Sequence, residues 1–130
     1  MLRRDVFAVT AVAALLSTLA GAQAVHKDTL QTQPFPGPVY HTVMVHTLMD
    51  PGGTVAWHTH PGVEMAYVAQ GRATLRVKGR PDQPVAAGGS FSIPVGTVHS
   101  VQNTSSGPLV LISTYVVDKN KPIVIPAPGP

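Results

Sequence analysis

The sequence predicts a small all-β domain of the sandwich or barrel type, and two observations carry that expectation. Thirteen prolines and twelve glycines punctuate short runs rich in Val, Thr and Ile, which is the pattern of brief strands joined by turns. Hydrophobic residues make up 44% of the chain and charged residues 12%, which suits a compact core and not a disordered chain. At 130 residues the length suits one domain.

Residues 1–24 read as a signal peptide. Arg3 and Arg4 supply the charged start, Val6 to Ala20 the apolar run, and Ala22-Gln23-Ala24 an A-x-A cleavage site. The apolar run is shorter than the roughly 20 residues a membrane-spanning helix needs, so no stable membrane anchor is expected after cleavage. The Arg3-Arg4 pair is also compatible with twin-arginine export, although Asp5 stands where that signal turns apolar. Cleavage after Ala24 would leave a periplasmic or secreted chain beginning at Val25.

Residues 25–38 form a polar lead-in ending in Pro34, Pro36 and Pro38, expected as an extended surface arm because proline cannot donate to a central ladder. Residues 39–117 are expected to form the barrel. Its first strand is Val39 to Met49, with Met44, His46 and Leu48 on one face and Val43, Val45 and Thr47 on the other. Asp50-Pro51-Gly52-Gly53 is a turn. Further strands follow over Thr54 to His60, Val63 to Gln70, Arg72 to Lys78 and Gln83 to Ala87. Ser90 to Ile93, Val98 to Gln102 and Leu109 to Val117 complete the set, each bounded by Gly, Pro or polar loops. About seven or eight strands at this spacing indicate a sandwich or barrel. Residues 118–130, with Pro122, Pro126, Pro128 and Pro130, form a tail expected to lie extended on the domain or to be disordered beyond about Pro126.

Composition narrows the chemistry. Without cysteine there is no disulfide framework, thiolate metal site or cysteine nucleophile. The formal charge is +3, and two of the positive charges belong to the segment expected to be removed. Arg72, Arg76, Lys78 and Arg80 cluster without a recognised module or interleaved aromatics, so no nucleic-acid partner is expected. No phosphate loop, nucleophile elbow or dinucleotide fingerprint is present.

The histidines carry the remaining signal. His58 and His60 are two apart, so a β-strand would send both rings from one face, with Glu64 close behind and His99 on a later strand. Imidazole and carboxylate together suit Zn, Fe, Mn, Ni or Cu. Pro61-Gly62 interrupts the strand between His60 and Glu64, so periodicity leaves open both a metal site and hydrogen-bonded core histidines beside a surface glutamate.

Two spaced motifs surround these residues. The first runs Gly52, His58, His60, Glu64, Gly71, and the second runs Gly88, Pro94, Gly96, His99, Asn103, with residues 72–87 between them. In order and spacing they resemble the two motifs of the cupin superfamily, over about Asp50 to Val117. The resemblance implies an all-β, single-domain cupin jelly-roll barrel (double-stranded β-helix) in which His58, His60, Glu64 and His99 ligate one divalent transition metal ion, Fe, Mn, Zn or Ni. It does not select a reaction, because cupins include dioxygenases, isomerases, lyases, sugar-binding domains and storage proteins.

His46 and Tyr67 are the candidate catalytic residues outside the ligand set. His46 is either an acid or base near the ion or a hydrogen-bonded core imidazole, and Tyr67 would face the ion only if a bulge reversed its strand. Gly52, Gly71, Gly88 and Gly96 read as turn or bulge positions, and Asn103 as bonding its own loop. Trp57 falls on the face opposite the histidines. The expected pocket is mostly apolar, lined by Met44, Ala56, Ala66, Val68, Phe91 and Ile93, and would admit a small organic molecule. Two roles follow: a metal-dependent enzyme of oxygenase, isomerase or lyase type, or a non-catalytic metal- or ligand-binding module. Exposed edges and the proline-rich arms predict a homodimer.

Overall fold

The Val- and Thr-rich runs become strands because their branched side chains pack on a pleated surface, and the Gly and Pro pairs between them turn the chain. The structure, a computed structural model, describes residues 24–130, so the predicted signal peptide lies outside the described residues except for Ala24. The strands are β1 (Val25–Pro34), β2 (Tyr40–Met49), β3 (Thr54–Thr59), β4 (Gly62–Gln70), β5 (Arg72–Val77), β6 (Gln83–Ala86), β7 (Ser90–Ile93), β8 (His99–Asn103), β9 (Leu109–Asp118) and β10 (Ile125–Pro126). No helix occurs among the described residues, and none there could cross a membrane.

Two antiparallel five-stranded sheets result, ordered β1-β2-β9-β4-β7 and β10-β3-β8-β5-β6. The chain passes from one sheet to the other at Pro61, between β3 and β4, and again at Pro94 to Val98, between β7 and β8. Both corners carry motif residues, and both place potential ligands on facing sheets.

Register decides which side chains look inward. Across the first sheet, Thr29, Val45, Ser113, Ala66 and Phe91 stand side by side, and so do Val43, Tyr115, Glu64 and Ile93. Nearly all of these are buried, Thr29 on the edge strand being the exposed one. The row beside that of Val45, made of Asp28, His46, Ile112, Tyr67 and Ser90, has the opposite parity and faces out.

The segment 25–38, expected as a surface arm, contributes a strand instead. Val25 to Pro34 pairs with β2 along the sheet edge, and Pro34 is its last residue, where the ladder no longer needs a donor. The tail is likewise engaged: β10 pairs with β3, the Ala127 amide donates to the Trp57 carbonyl (3.1 Å), and Gly129 lies against the Trp57 indole.

Asn103 ties the barrel end together. Its Nδ2 donates to the carbonyls of Met49 (3.0 Å) and Gly107 (2.9 Å), while its Oδ1 accepts from the Ser105 amide (2.9 Å). It therefore joins the end of β2 to its own loop, a longer reach than the sequence predicts. Asn103→Ala would leave these buried groups without partners, and a loss of about 2–4 kcal/mol in denaturant unfolding is expected.

Candidate metal centre

His58 reaches the interior because β3 bulges. Val55 pairs with Val101 and His58 with His99, so one extra residue is accommodated between them. The bulge turns Ala56 outward and leaves the Ala56 carbonyl free to accept from His58 Nδ1 at 2.6 Å. His60 follows the end of β3, and its Nδ1 donates to the Ile123 carbonyl in the tail at 2.6 Å. His99 opens β8 after a turn in which Gly96 adopts φ 69° and donates its amide to the His60 carbonyl (3.2 Å); His99 Nδ1 donates to the Thr97 carbonyl (2.9 Å). One imidazole from each corner and one from β3 thus converge.

The three rings are buried, with centroids 4.2–5.0 Å apart, and they offer ligand atoms within 4.8 Å of one another. Glu64 faces them from β4, its Oε2 3.0 Å from His60 Nε2 and 3.6 Å from His99 Nε2. On its other side Glu64 Oε1 accepts from the Tyr115 hydroxyl at 3.0 Å, and Ser113 is a further hydrogen-bond partner.

This donor set fits a cation. A backbone carbonyl can only accept, so each Nδ1 carries the proton, and each Nε2 is left to present a lone pair to an ion or, in a protonated His60, to donate to Glu64. Three such lone pairs and a carboxylate meet in one buried space, and the 3.0 Å approach of His60 Nε2 to Glu64 Oε2 requires positive charge between them. A proton on His60 would satisfy that one pair; a divalent ion would satisfy all four groups. Carbonyl anchors of this kind are also what orient imidazole ligands at metal sites.

Local electrostatics keep the groups in ligating form. Burial, opposed by the Ala56 hydrogen bond and helped by the neighbouring rings, pushes His58 down to about 4, so it is neutral at physiological pH. Burial would raise the Glu64 carboxyl, but hydrogen bonds involving His60 and His99 outweigh it and hold Glu64 below the usual carboxylate range. Burial and then the charge of Glu64 push the Tyr115 hydroxyl up, so it stays a donor.

His58, His60, Glu64 and His99 are therefore brought together. His46 and Tyr67 are not: both stand on the outer row of the first sheet, where Tyr67 is 49% exposed. β4 alternates regularly from Gly62 to Val68, so no bulge turns Tyr67 inward, and Val45 and Thr47 occupy the inner parity that His46 would need.

The expected apolar pocket is corrected as well. Met44 and Ala56 face outward, and the cavity beside the histidines, about 20 Å³, has a mixed lining that includes Lys27, Thr47, Val55, Ser113 and Tyr115. It holds about one water or ion. A larger groove of about 520 Å³, lined by Met65, Tyr67, Ser90 and Ile112, lies on the outer face away from the histidines.

Sequence reasoning missed Lys27, Ser113, Tyr115 and the Ile123 carbonyl. Ser113 and Tyr115 carry a legible signal, since they interrupt the apolar parity of Leu109, Leu111 and Val117. Lys27 and Ile123 carry none, because only strand pairing brings them near.

Two facing antiparallel sheets closed over a buried three-histidine cluster define a double-stranded β-helix with a candidate metal centre. A family profile described as Cupin domain matches residues 45–115, and the chain belongs to the cupin family. No curated protein matches it significantly. Among solved structures it is similar to a conserved protein with a double-stranded β-helix domain from Klebsiella pneumoniae (18% identity, 83% of this chain and 88% of that one, TM-score 0.66). KdgF from Halomonas sp. is similar at 18% identity over 74% of this chain and 82% of that one, with TM-score 0.60. An oxalate oxidase is 25% identical over 67% of this chain and 52% of that one, with TM-score 0.57.

Proposed function

We propose that the chain is an exported cupin that holds one divalent transition metal ion, Fe, Mn, Zn or Ni, on His58, His60, Glu64 and His99 and acts as an enzyme on a small organic molecule. The observation that carries this is the cluster of three buried imidazoles, their ligand atoms within 4.8 Å of one another, with the buried Glu64 carboxylate beside His60 and His99. A bound ion would supply Lewis-acid polarisation of a substrate oxygen or, with iron or manganese, redox chemistry. Within the chain, Tyr115 and Ser113 orient Glu64, and the carbonyls of Ala56, Thr97 and Ile123 hold the three rings. The likeness to oxalate oxidase supports the enzymatic reading.

The small cavity favours a second reading, a non-catalytic module that binds a metal or small ligand outside the cytoplasm. Incubating the metal-loaded protein with a panel of small organic acids while following dioxygen and product by mass spectrometry separates the two. Conversion or dioxygen consumption supports the enzyme, and ligands recovered unchanged support the module.

Cleavage after Ala24 is part of the proposal, as is a homodimer. The tail is used within its own chain, which leaves the free edge of β1 and the outer-face residues Met65 and Tyr67 as the surfaces that support a second copy. Light scattering that finds a monomer at working concentration would refute the dimer.

A further inference from the structure

We infer that Lys27 is the anion-recognising group of the metal pocket, so that the site takes a small anionic ligand such as a carboxylate. This rests on the metal-centre reading above and adds the ligand class to it.

Lys27 belongs to β1, outside the residues matched by the family profile. It pairs with Thr47, which pairs with Leu111, and both partners are buried inward-facing residues. Paired residues in an antiparallel ladder share a face, so Lys27 shares the interior face with Thr47. Its neighbours of the same parity, Val25 and Thr29, pair with the inward Met49 and Val45, and the β1 irregularity falls after Thr29. Lys27 is thus on the regular part of the strand.

Although exposed at the sheet edge, Lys27 lines the cavity together with His58, Glu64 and His99. Among the described residues it enters no ion pair, whereas Arg76 and Lys121 do. Partial desolvation lowers its pKa, against the charge of Glu64, which places the ammonium within the field of the site. With a divalent ion in place Glu64 is already neutralised, and the pocket carries surplus positive charge beside an opening. Because the cavity itself holds about one ion, an anion would sit at the opening beside the exposed Lys27, where it would take both an ion contact and a charge-assisted hydrogen bond from Lys27.

The test is titration of the metal-loaded protein with acetate, and with acetamide as its uncharged counterpart, by calorimetry in the parent chain, Lys27→Met and Lys27→Arg. Metal content is measured in each variant. Acetate affinity is expected to fall about tenfold or more in Lys27→Met and to return toward the parent value in Lys27→Arg, with acetamide unaffected. Equal acetate affinity in the parent and Lys27→Met overturns the inference. So does a Lys27→Met effect confined to metal content, which would make Lys27 only a counter-charge for Glu64. A parent chain without metal refutes the metal reading separately; in that chain acetate binding that depends on Lys27 supports the inference, and binding without that dependence overturns it.

Discussion

Replacing His99 with alanine is expected to reduce the metal content of natively isolated protein from about one divalent ion per chain to near zero, read by elemental analysis. His99 supplies one of three converging Nε2 atoms, and its ring is fully enclosed, so no solvent-exposed donor stands ready to replace it. Loss of a group merely orienting a ligand typically costs 10–100-fold in affinity, and loss of the ligand itself costs more. His60→Ala should behave alike and would also strip the tail's Ile123 carbonyl of its donor. The controls come from register: His46→Ala and Tyr67→Phe, on the outer row, should retain the metal. Parent protein isolated without a divalent ion would remove the basis for the proposed function, and full metal content in His99→Ala would assign the ion to other ligands.

Gly62→Ala is expected to destabilise the domain by about 3 kcal/mol or more. A Cβ at Gly62 would lie 2.0 Å from the Val116 carbonyl oxygen and 2.7 Å from the Val117 Cα. These are backbone atoms of β9, which is paired with both β2 and β4, so they cannot yield as a flexible side chain can. For a domain of this size the loss corresponds to a fall of roughly 10 °C or more in Tm. Gly107→Ala, where an added Cβ meets nothing within 4 Å, should be nearly neutral. Because Glu64 is two residues beyond Gly62 on the same strand, weaker metal retention should accompany the lower Tm. An unchanged melting temperature in Gly62→Ala would contradict the close approach of β4 to β9.

The clash also explains part of what the sequence left open. Pro61-Gly62 reads as a break in a strand, and for a break, parity says nothing about Glu64. In the structure it is a corner: His58 and His99 leave from one sheet and Glu64 from the other, and all three line one cavity because the sheets face each other, with Glu64 3.6 Å from His99. The His58–His60 spacing was legible, since both are buried with the less buried Thr59 between them; what the spacing did not show is the bulge between Val55 and His58, which turns Ala56 out. His46 and Tyr67 were ambiguous for a related reason. Each lies on a strand where one parity must face the core, and β2 has apolar residues on both faces, so only pairing with β9 shows which one does.

Alternation and turn residues by themselves determined an all-β domain and most of its strand boundaries, while the four residues that would share one ion came only from the resemblance of the two motifs to those of cupins. These features are local: they depend on which neighbours a residue has within a few positions and on how Gly and Pro bend the backbone. Tertiary structure alone decided the rest. It made β1 an edge strand, drew the tail across β3 to anchor His60, set Tyr115 and Ser113 against Glu64, and brought Lys27 to the cavity. Those contacts join residues far apart in the chain, and the free energy that selects them comes from closing two sheets over a common interior, which no short window of sequence contains.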